Sequence, residues 1–538
     1  MRLIEPVVVT DTGSFSRAST GTYHDKDGLL QTAAVDEPRW NYNPADLTQP
    51  PVLLVENART NVAKWSEDVT NAVWFKGSMT AGSSPVTLAG LPAKRLTLWG
   101  GNVLHYMTEN ITVGNPAWLH AAVDVSGLAS KTVVLHPDGV GSKRVFFIWT
   151  GPRAITVTGL GGVIGSYVIL GDYQAILYAY LAAAAGTFVM FYVGNYGVYD
   201  GDGQYIDITR IQSEFCAAGE SYSSYIPTTT AAVTRAADVL GGMLVTNVPE
   251  NDYTEYSDIT TYAIGDRCMV TSAAQHNVYT SVTAGNLDHD PALEPDPVNA
   301  PVNWQFVGKT NRWKPFDGYI SSQASLADRL LYSIKIPDGV MTDSVALMNI
   351  DAEFAGVTVT DDAEGQIYQN EFNLISESGI TDYWEYFFAP IRRQANLTLT
   401  GLDVYAGVRI DVELKDDGGA PKCGALVSGI SYDIGDTRYG LSMSSTDYSV
   451  KTVDAFGNIT LTQRPYSNDM ELSAWVPNAD MAEVNAKLIS RRATPTIFIG
   501  APDIYDEATA VYGWVESWGN VVEYQSYSIL SINIKGLT

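Results

Sequence analysis

The sequence predicts an all-β, multidomain chain of β-sandwich or jelly-roll modules with one late α-helix at about residues 480–490. Three observations predict it. Apolar residues recur mostly with period two, turn-forming Gly, Pro, Asn and Asp are spread throughout, and one segment carries a helical repeat. Val408, Ile410, Val412 and Leu414 alternate with Arg409, Asp411, Glu413 and Lys415, which predicts a strand with one solvated face carrying Asp411 and Glu413. Val453 and Ile459 flank a turn containing Asp454, Gly457 and Asn458, which predicts a hairpin over 449–462. Residues 529–535 alternate in the same way. In the helix, Asp480 and Glu483 read as a capping box, with Met481, Val484 and Leu488 on one face. The aromatic runs 383–388 and 512–518 read as strands suited to packing or subunit contact.

Composition bounds the function. A chain of 538 residues with 46% apolar side chains can bury several cores, and its length suggests three or four domains. The formal charge of −27 disfavours nucleic acid and anionic lipid as partners. Cys216, Cys268 and Cys423 are isolated, which fits reduced, cytosolic synthesis better than a disulfide framework. No basic-then-apolar signal peptide opens the chain. Residues 175–193 are uncharged and long enough to span a bilayer, but acidic Asp172 and Asp200 flank them. A buried pair of strands joined near Gly186 is the better reading, with no membrane insertion.

Four regions separate. MRLIEPVVVTD at the start and GGMLVTNVPENDY from Gly241 look like two halves of one opening strand, 1–11 plus 241–250, with the intervening residues inserted. Residues 12–61 are turn-rich, with Tyr23, Asp25, Asp27 and Gly28 in one hairpin, then Pro38, Arg39 and Trp40, then Glu56, Arg59, Thr60 and Asn61. His24, Asp25 and Asp27 could hold a metal, although a DKDG turn explains them more simply. Residues 62–240 are marked by RTNVAKWSEDVTNAVWFKG (59–77) across their start and by SSYIPTTTAAVTRAAD (223–238) near their end. Residues 251–312 order Tyr262, Gly265, Asp266, Tyr279, Gly285, Asn286, Pro291 and Trp304, with Cys268 where a Val is usual. Residues 313–538 form a C-terminal β-rich region, including YWEYFFAP, KCGALVSG and RRATPTIFIG, in which His is absent.

These stretches resemble a class of tailed-bacteriophage tail-tip, baseplate or fibre proteins, the C-terminal region carrying the longest likeness. The turn-rich stretch resembles a connector of such proteins, 62–240 the carbohydrate-binding-type jelly-roll that follows it, and 251–312 a small chitin-binding-type module. The resemblance implies a structural virion protein, synthesised in the host cytoplasm and carried in the phage tail. Its implied partners are other tail proteins, copies of itself and host-surface polysaccharide. Sugars stack on aromatic faces, so Trp74, Trp99, Trp118, Tyr256, Tyr262, Tyr279 and Trp304 are the candidate platforms, with Trp149 and Tyr106 also available. Each competes with an ordinary place in a core. Asp200, Asp202 and Asp207 in DGDGQYID could supply oxygens to calcium, against the simpler reading of a solvated turn. No P-loop, GxSxG, HExxH or CxxC motif occurs, so no enzyme is expected. Two alternatives stay open: a bracing protein that binds no sugar, and a polysaccharide-degrading tailspike.

Overall fold

The computed structural model describes all residues except 10–12, 112–116, 138–141, 183–187, 195–196, 272–275, 377–381, 389–391, 454–455, 457 and 503–505. The chain is all-β and divides into two compact units, Met1–Gly13 with Gly242–Thr538, and Ser14–Gly241.

In the Ser14–Gly241 unit, two antiparallel sheets enclose one core. The larger, eight-stranded sheet runs in the order Val163–Gly171, Gln174–Leu181, Ala117–Asp124, Tyr205–Phe215, Leu91–Leu98 and Met79–Leu88, with Arg59–Asn61 and Val233–Arg235 branching from Tyr205–Phe215. The smaller runs Ala154–Leu160, Arg144–Gly151, Thr132–His136, Phe188–Val193, His105–Asn110 and Phe75–Gly77. Leu96, Leu119, Val123, Leu177 and Ile208 from the first meet Met107, Val133, Leu135, Phe147 and Phe191 from the second. This is sheet-on-sheet packing, in which alternate residues of each strand face inward. The apolar stretch 175–193 thus supplies one strand to each sheet; Gly186 lies outside the described residues. Among the described residues, no helix is long and apolar enough to cross a membrane.

The turn-rich stretch folds as short hairpins, Gly21–His24 with Leu30–Ala33 and Trp40–Asn41 with Val52–Leu53. Asp25 Oδ1 accepts from the amides of Asp27 and Leu29, and Gly28 has φ 74°, so DKDG is a turn. Three buried arginines converge on two carboxylates. Arg17 donates to Asp238 at 3.3 Å, Arg39 to Glu56 and Asp238 at 2.7 and 2.5 Å, and Arg235 Nη1 lies 3.5 Å from both carboxylates. Residues of the Pro-Arg-Trp step, the Glu-x-x-Arg exit and the closing TRAAD stretch therefore meet in one ionic joint. Removing one member would strand a buried charge.

In the other unit, Arg2–Pro6 is an interior strand of a ten-stranded sheet, between Ala425–Asp433 and Thr496–Ile499. Leu244–Thr246 instead pairs with Arg329–Lys335 in a five-stranded sheet. The expected single opening strand over 1–11 and 241–250 is thereby corrected: the pieces are two strands in two sheets. Their connection is packing, since Val9 and Leu244 share one core cluster. Residues 11 and 12 lie outside the described residues.

The strand Arg409–Lys415 corrects another expectation. It is the middle strand of the five-stranded sheet, and Arg409, Asp411 and Glu413 are buried rather than solvated. Flanking strands cover them on both sides, and the charges are paired, Glu413 with Arg329 and Asp411 with Arg409. Residues 383–388 form a short helix, Tyr383–Phe388, not a strand, with Tyr383, Trp384, Phe387 and Phe388 exposed. Residues 512–518 do lie in a strand, Ala510–Val521. Val453 pairs with Ile459 as the hairpin pattern requires; Asp454 and Gly457 of its turn are outside the described residues. Leu530, Ile532 and Ile534 of the last strand, Tyr527–Gly536, are buried.

Among the described residues the longest helix is Met481–Ser490, which buries Val484 and Leu488 and packs Met481 against the same core. Its capping box does not form: Asp480 has helical dihedrals and its side chain makes no cap hydrogen bond. An N-cap side chain reaches back only from an extended backbone, which explains the difference.

Candidate functional site

The sequence candidates separate by burial. Trp74 is buried, and its indole N–H donates to the carbonyls of Lys64 and Trp65. Trp149 is also core. In the three-stranded module formed by Arg267–Val270, Asn277–Ser281 and Trp304–Lys309, the rings of Tyr262, Tyr279 and Trp304 form the core with Cys268 and Val270. Trp304 donates to the His289 carbonyl at 2.6 Å. Trp74, Tyr262, Tyr279 and Trp304 are therefore corrected as sugar platforms, because a ring enclosed by protein offers no face to a sugar. A domain this small has few other large side chains with which to fill itself. Tyr256 is half-buried, stacked on Tyr262 at 6.0 Å and packed against the module core, and exposed Trp99 remains as a surface ring. Tyr106 leans across Gly77, where a Cβ would come within 2.3 Å of the ring, and packs beside Phe75 and Tyr192.

The calcium reading is corrected as well. Asp207 is not in the loop but in the strand Tyr205–Phe215, buried, with both oxygens taken by Arg95 at 2.9 and 2.8 Å. Asp202 accepts from the Gly100 amide. Among the described residues no group of three His, Cys, Asp or Glu is placed to hold a metal, and this covers His24, Asp25 and Asp27.

Trp118 belongs to a larger arrangement. On the face of the eight-stranded sheet turned away from the main core, alternation places Trp118, His120, Ala122 and Asp124 in register with Tyr180, Tyr178, Ile176 and Gln174. The next strand adds Glu214 opposite Trp118 and Gln212 opposite His120. Tyr222, from the segment after that strand, stacks on Tyr178 at 3.7 Å and meets Trp118 edge-on at 5.5 Å. Trp118 and Tyr180 lie 4.9 Å apart, both half-buried, and Tyr222 is 37% exposed. These three rings form a rim at the surface. Trp118 is fixed by its indole N–H donating to the Glu220 carbonyl at 3.0 Å.

Polar groups lie beside the rim. Glu214 accepts from the Ser223 amide at 2.7 Å, the Ser223 hydroxyl at 2.5 Å and Gln212 at 2.9 Å. Burial raises its carboxyl above the ordinary range, and the Ser223 hydrogen bonds oppose that rise. Glu220 is held low by the Ala217 amide and is paired with Arg59 at 2.6 Å. Deeper in, His120 is fully buried and its imidazole is driven well below its ordinary value, first by burial and then by the Arg210 charge. Burial likewise pushes the Tyr178 hydroxyl up. The arrangement can stack a planar apolar sugar face at the rim.

Of the sequence candidates, only Trp118 enters this site. Tyr178, Tyr180, Tyr222, His120, Arg210, Gln212 and Glu214 were missed. The alternation of Trp118 with His120 and of Tyr178 with Tyr180 is a signal in the sequence, since period two puts each pair on one sheet face. The pairing of those strands, and the return of Tyr222 over them, is not.

No family model matches the chain, and no curated protein matches it. Similar solved structures include the N-terminal CBM22-1-CBM22-2 tandem domain of Xyn10C from Paenibacillus barcinonensis, at 7% identity and TM-score 0.18, covering 69% of this chain and 99% of that one. Another is the M60 catalytic domain with the CBM51-1 and CBM51-2 domains of ZmpB from Clostridium perfringens, at 11% identity and TM-score 0.17, covering 79% of this chain and 43% of that one. At such scores neither likeness carries an argument, and the functional reading rests on the residues.

Proposed function

We propose that the chain is a non-enzymatic structural protein of a tailed-bacteriophage virion whose Ser14–Gly241 unit binds host-surface glycan at the Trp118 rim. The observation that carries the glycan reading is the rim itself: three partly exposed rings, Trp118, Tyr180 and Tyr222, set beside buried amide and carboxyl groups. Protein aromatics left at a surface with a fixed orientation and adjoining hydrogen-bonding groups suit the alternating apolar and polar faces of a sugar. The non-enzymatic part is supported by the state of the nearby carboxylates, Glu214 being held by Ser223 and Gln212, and Glu220 by Arg59. Hydrolysis of a glycosidic bond would need two carboxyls free to act on either side of it. The tail assignment rests on the sequence resemblance, and the exposed rings of Tyr383–Phe388 suit a contact with tail proteins or another copy.

The test is a glycan microarray probed with the full chain and with Trp118→Ala. The expected result is a defined set of glycans bound by the parent and weakened by about 1–3 kcal/mol in the variant, by analogy with the loss of an aromatic that stacks on a planar ligand. A parent that binds nothing would favour the bracing role, and release of reducing sugar from a bound polysaccharide would favour the tailspike.

A further inference from the structure

Below the rim lies a feature that sugar stacking alone does not explain. Arg210 is buried, and among the described residues no carboxylate pairs with it. Its Nη1 donates to Nε2 of His24 at 3.0 Å, its guanidinium lies 5.5 Å from the Tyr225 ring, and its Nε has no partner. Both ring nitrogens of His120, also buried, are without a partner, as is Thr209 Oγ1. Buried polar groups are ordinarily satisfied, and a buried charge is ordinarily paired.

The backbone is shaped around this arginine. The register between Ala117–Asp124 and Tyr205–Phe215 shifts between His120 and Ala122, and Arg210 sits at that bulge with φ 59°. Bulges re-aim side chains, and a non-glycine residue in left-handed conformation is strained. The fold therefore holds a cation paired with no carboxylate in an unfavourable backbone conformation, beside buried polar atoms without partners. Of the acids on this face, Glu214 is engaged by Ser223 and Gln212, and Asp207 by Arg95. Ring contacts lead from the surface toward it: Trp118 to Tyr222, Tyr222 to Tyr178, and Tyr178 to His120 at 5.2 Å.

We propose that Arg210 is the anion-binding floor of the Trp118 site and that the glycan it takes is acidic, its carboxylate seated on Arg210 while the sugar ring stacks at the rim. This rests on the glycan reading above. Arg is the side chain whose planar donors match a carboxylate. Admission requires Tyr222, the most exposed of the three rim rings, to swing off Tyr178, and the buried Tyr178 and His120 rings to part behind it. The chain's net −27 opposes the approach of an acidic polymer, a repulsion between exposed charges that is largely screened beyond about 8 Å at physiological salt.

The experiment is calorimetric titration of the full chain with a glucuronate-containing tetrasaccharide, an N-acetylneuraminate-terminated trisaccharide, and the carboxyl-reduced form of each. The expected result is at least tenfold tighter binding of one acidic sugar than of its reduced form; which one shows the preference identifies the source of the carboxylate. Arg210→Met should lose that preference and melt at a higher temperature, because it removes an unpaired buried charge at the same backbone conformation. Equal binding of acidic and reduced sugars would overturn the carboxylate contact and leave the rim intact. Binding of none would overturn both readings. A lower melting temperature in Arg210→Met would mark the arginine as structural and overturn the proposal.

Discussion

At the scale of residues, burial decides which aromatic rings could meet a ligand. Trp304 and Trp118 look alike in the sequence, yet the first is enclosed in a small module and the second stands at a surface rim. Trp304→Ala should cost about 3–5 kcal/mol and leave 251–312 open to limited proteolysis, since a large cavity in so small a core cannot close. Trp118→Ala should leave the same digestion pattern as the parent. Titration supplies a second prediction. His24 is pushed down to about 3, first by burial and then by the Arg210 charge. Its ordinary value lies near 6.5, so the unfolded chain binds more protons between those limits and stability rises with pH there. That contribution is complete above about pH 6.5 and is lost as pH falls toward 3. Replacing the imidazole by an amide, His24→Gln, should narrow the stability gap to the parent by up to about 2 kcal/mol between pH 7 and pH 4.5. Denaturant melts of the two proteins at both pH values check it; a gap that stays constant would remove His24 from the acid response.

At the scale of elements, the sequence was most legible where pattern and burial coincide. Val453 with Ile459, the alternation over 529–535 and the Met481, Val484, Leu488 stripe all describe faces of single elements, which period alone determines. Reading failed where a neighbour decides. The charged residues of Arg409–Lys415 look solvated until strands are placed on both sides, and Tyr383–Phe388 has no periodicity long enough to separate helix from strand. For the site, Trp118 was legible as an exposed-ring candidate, whereas Tyr222 and Arg210 depend on a return segment and a bulge. The unformed cap gives an element-scale prediction. Asp480→Ala should change stability by less than about 0.5 kcal/mol, against the roughly 0.5–2 kcal/mol lost when a working N-cap is removed. Thermal melts of the full chain decide it, a larger loss implying that Asp480 caps the helix in solution.

At the scale of the whole molecule, the first strand and residues from Gly242 onward belong to one compact unit, and Ser14–Gly241 to another. The second unit begins and ends as a strand pair, Ser14 opposite Gly241 and Phe15 opposite Leu240. Its two chain ends are therefore a few ångströms apart, the spacing of paired strands, and a short linker could replace it. The central claim is that glycan recognition resides in this unit and not in the remainder. The most direct measurement compares host-surface polysaccharide binding by the full chain and by a chain in which 14–241 is replaced by a short Gly-Ser linker, both shown by circular dichroism to be folded. The account predicts binding by the full chain and none by the shortened one; retention of binding by the folded, shortened chain would contradict it.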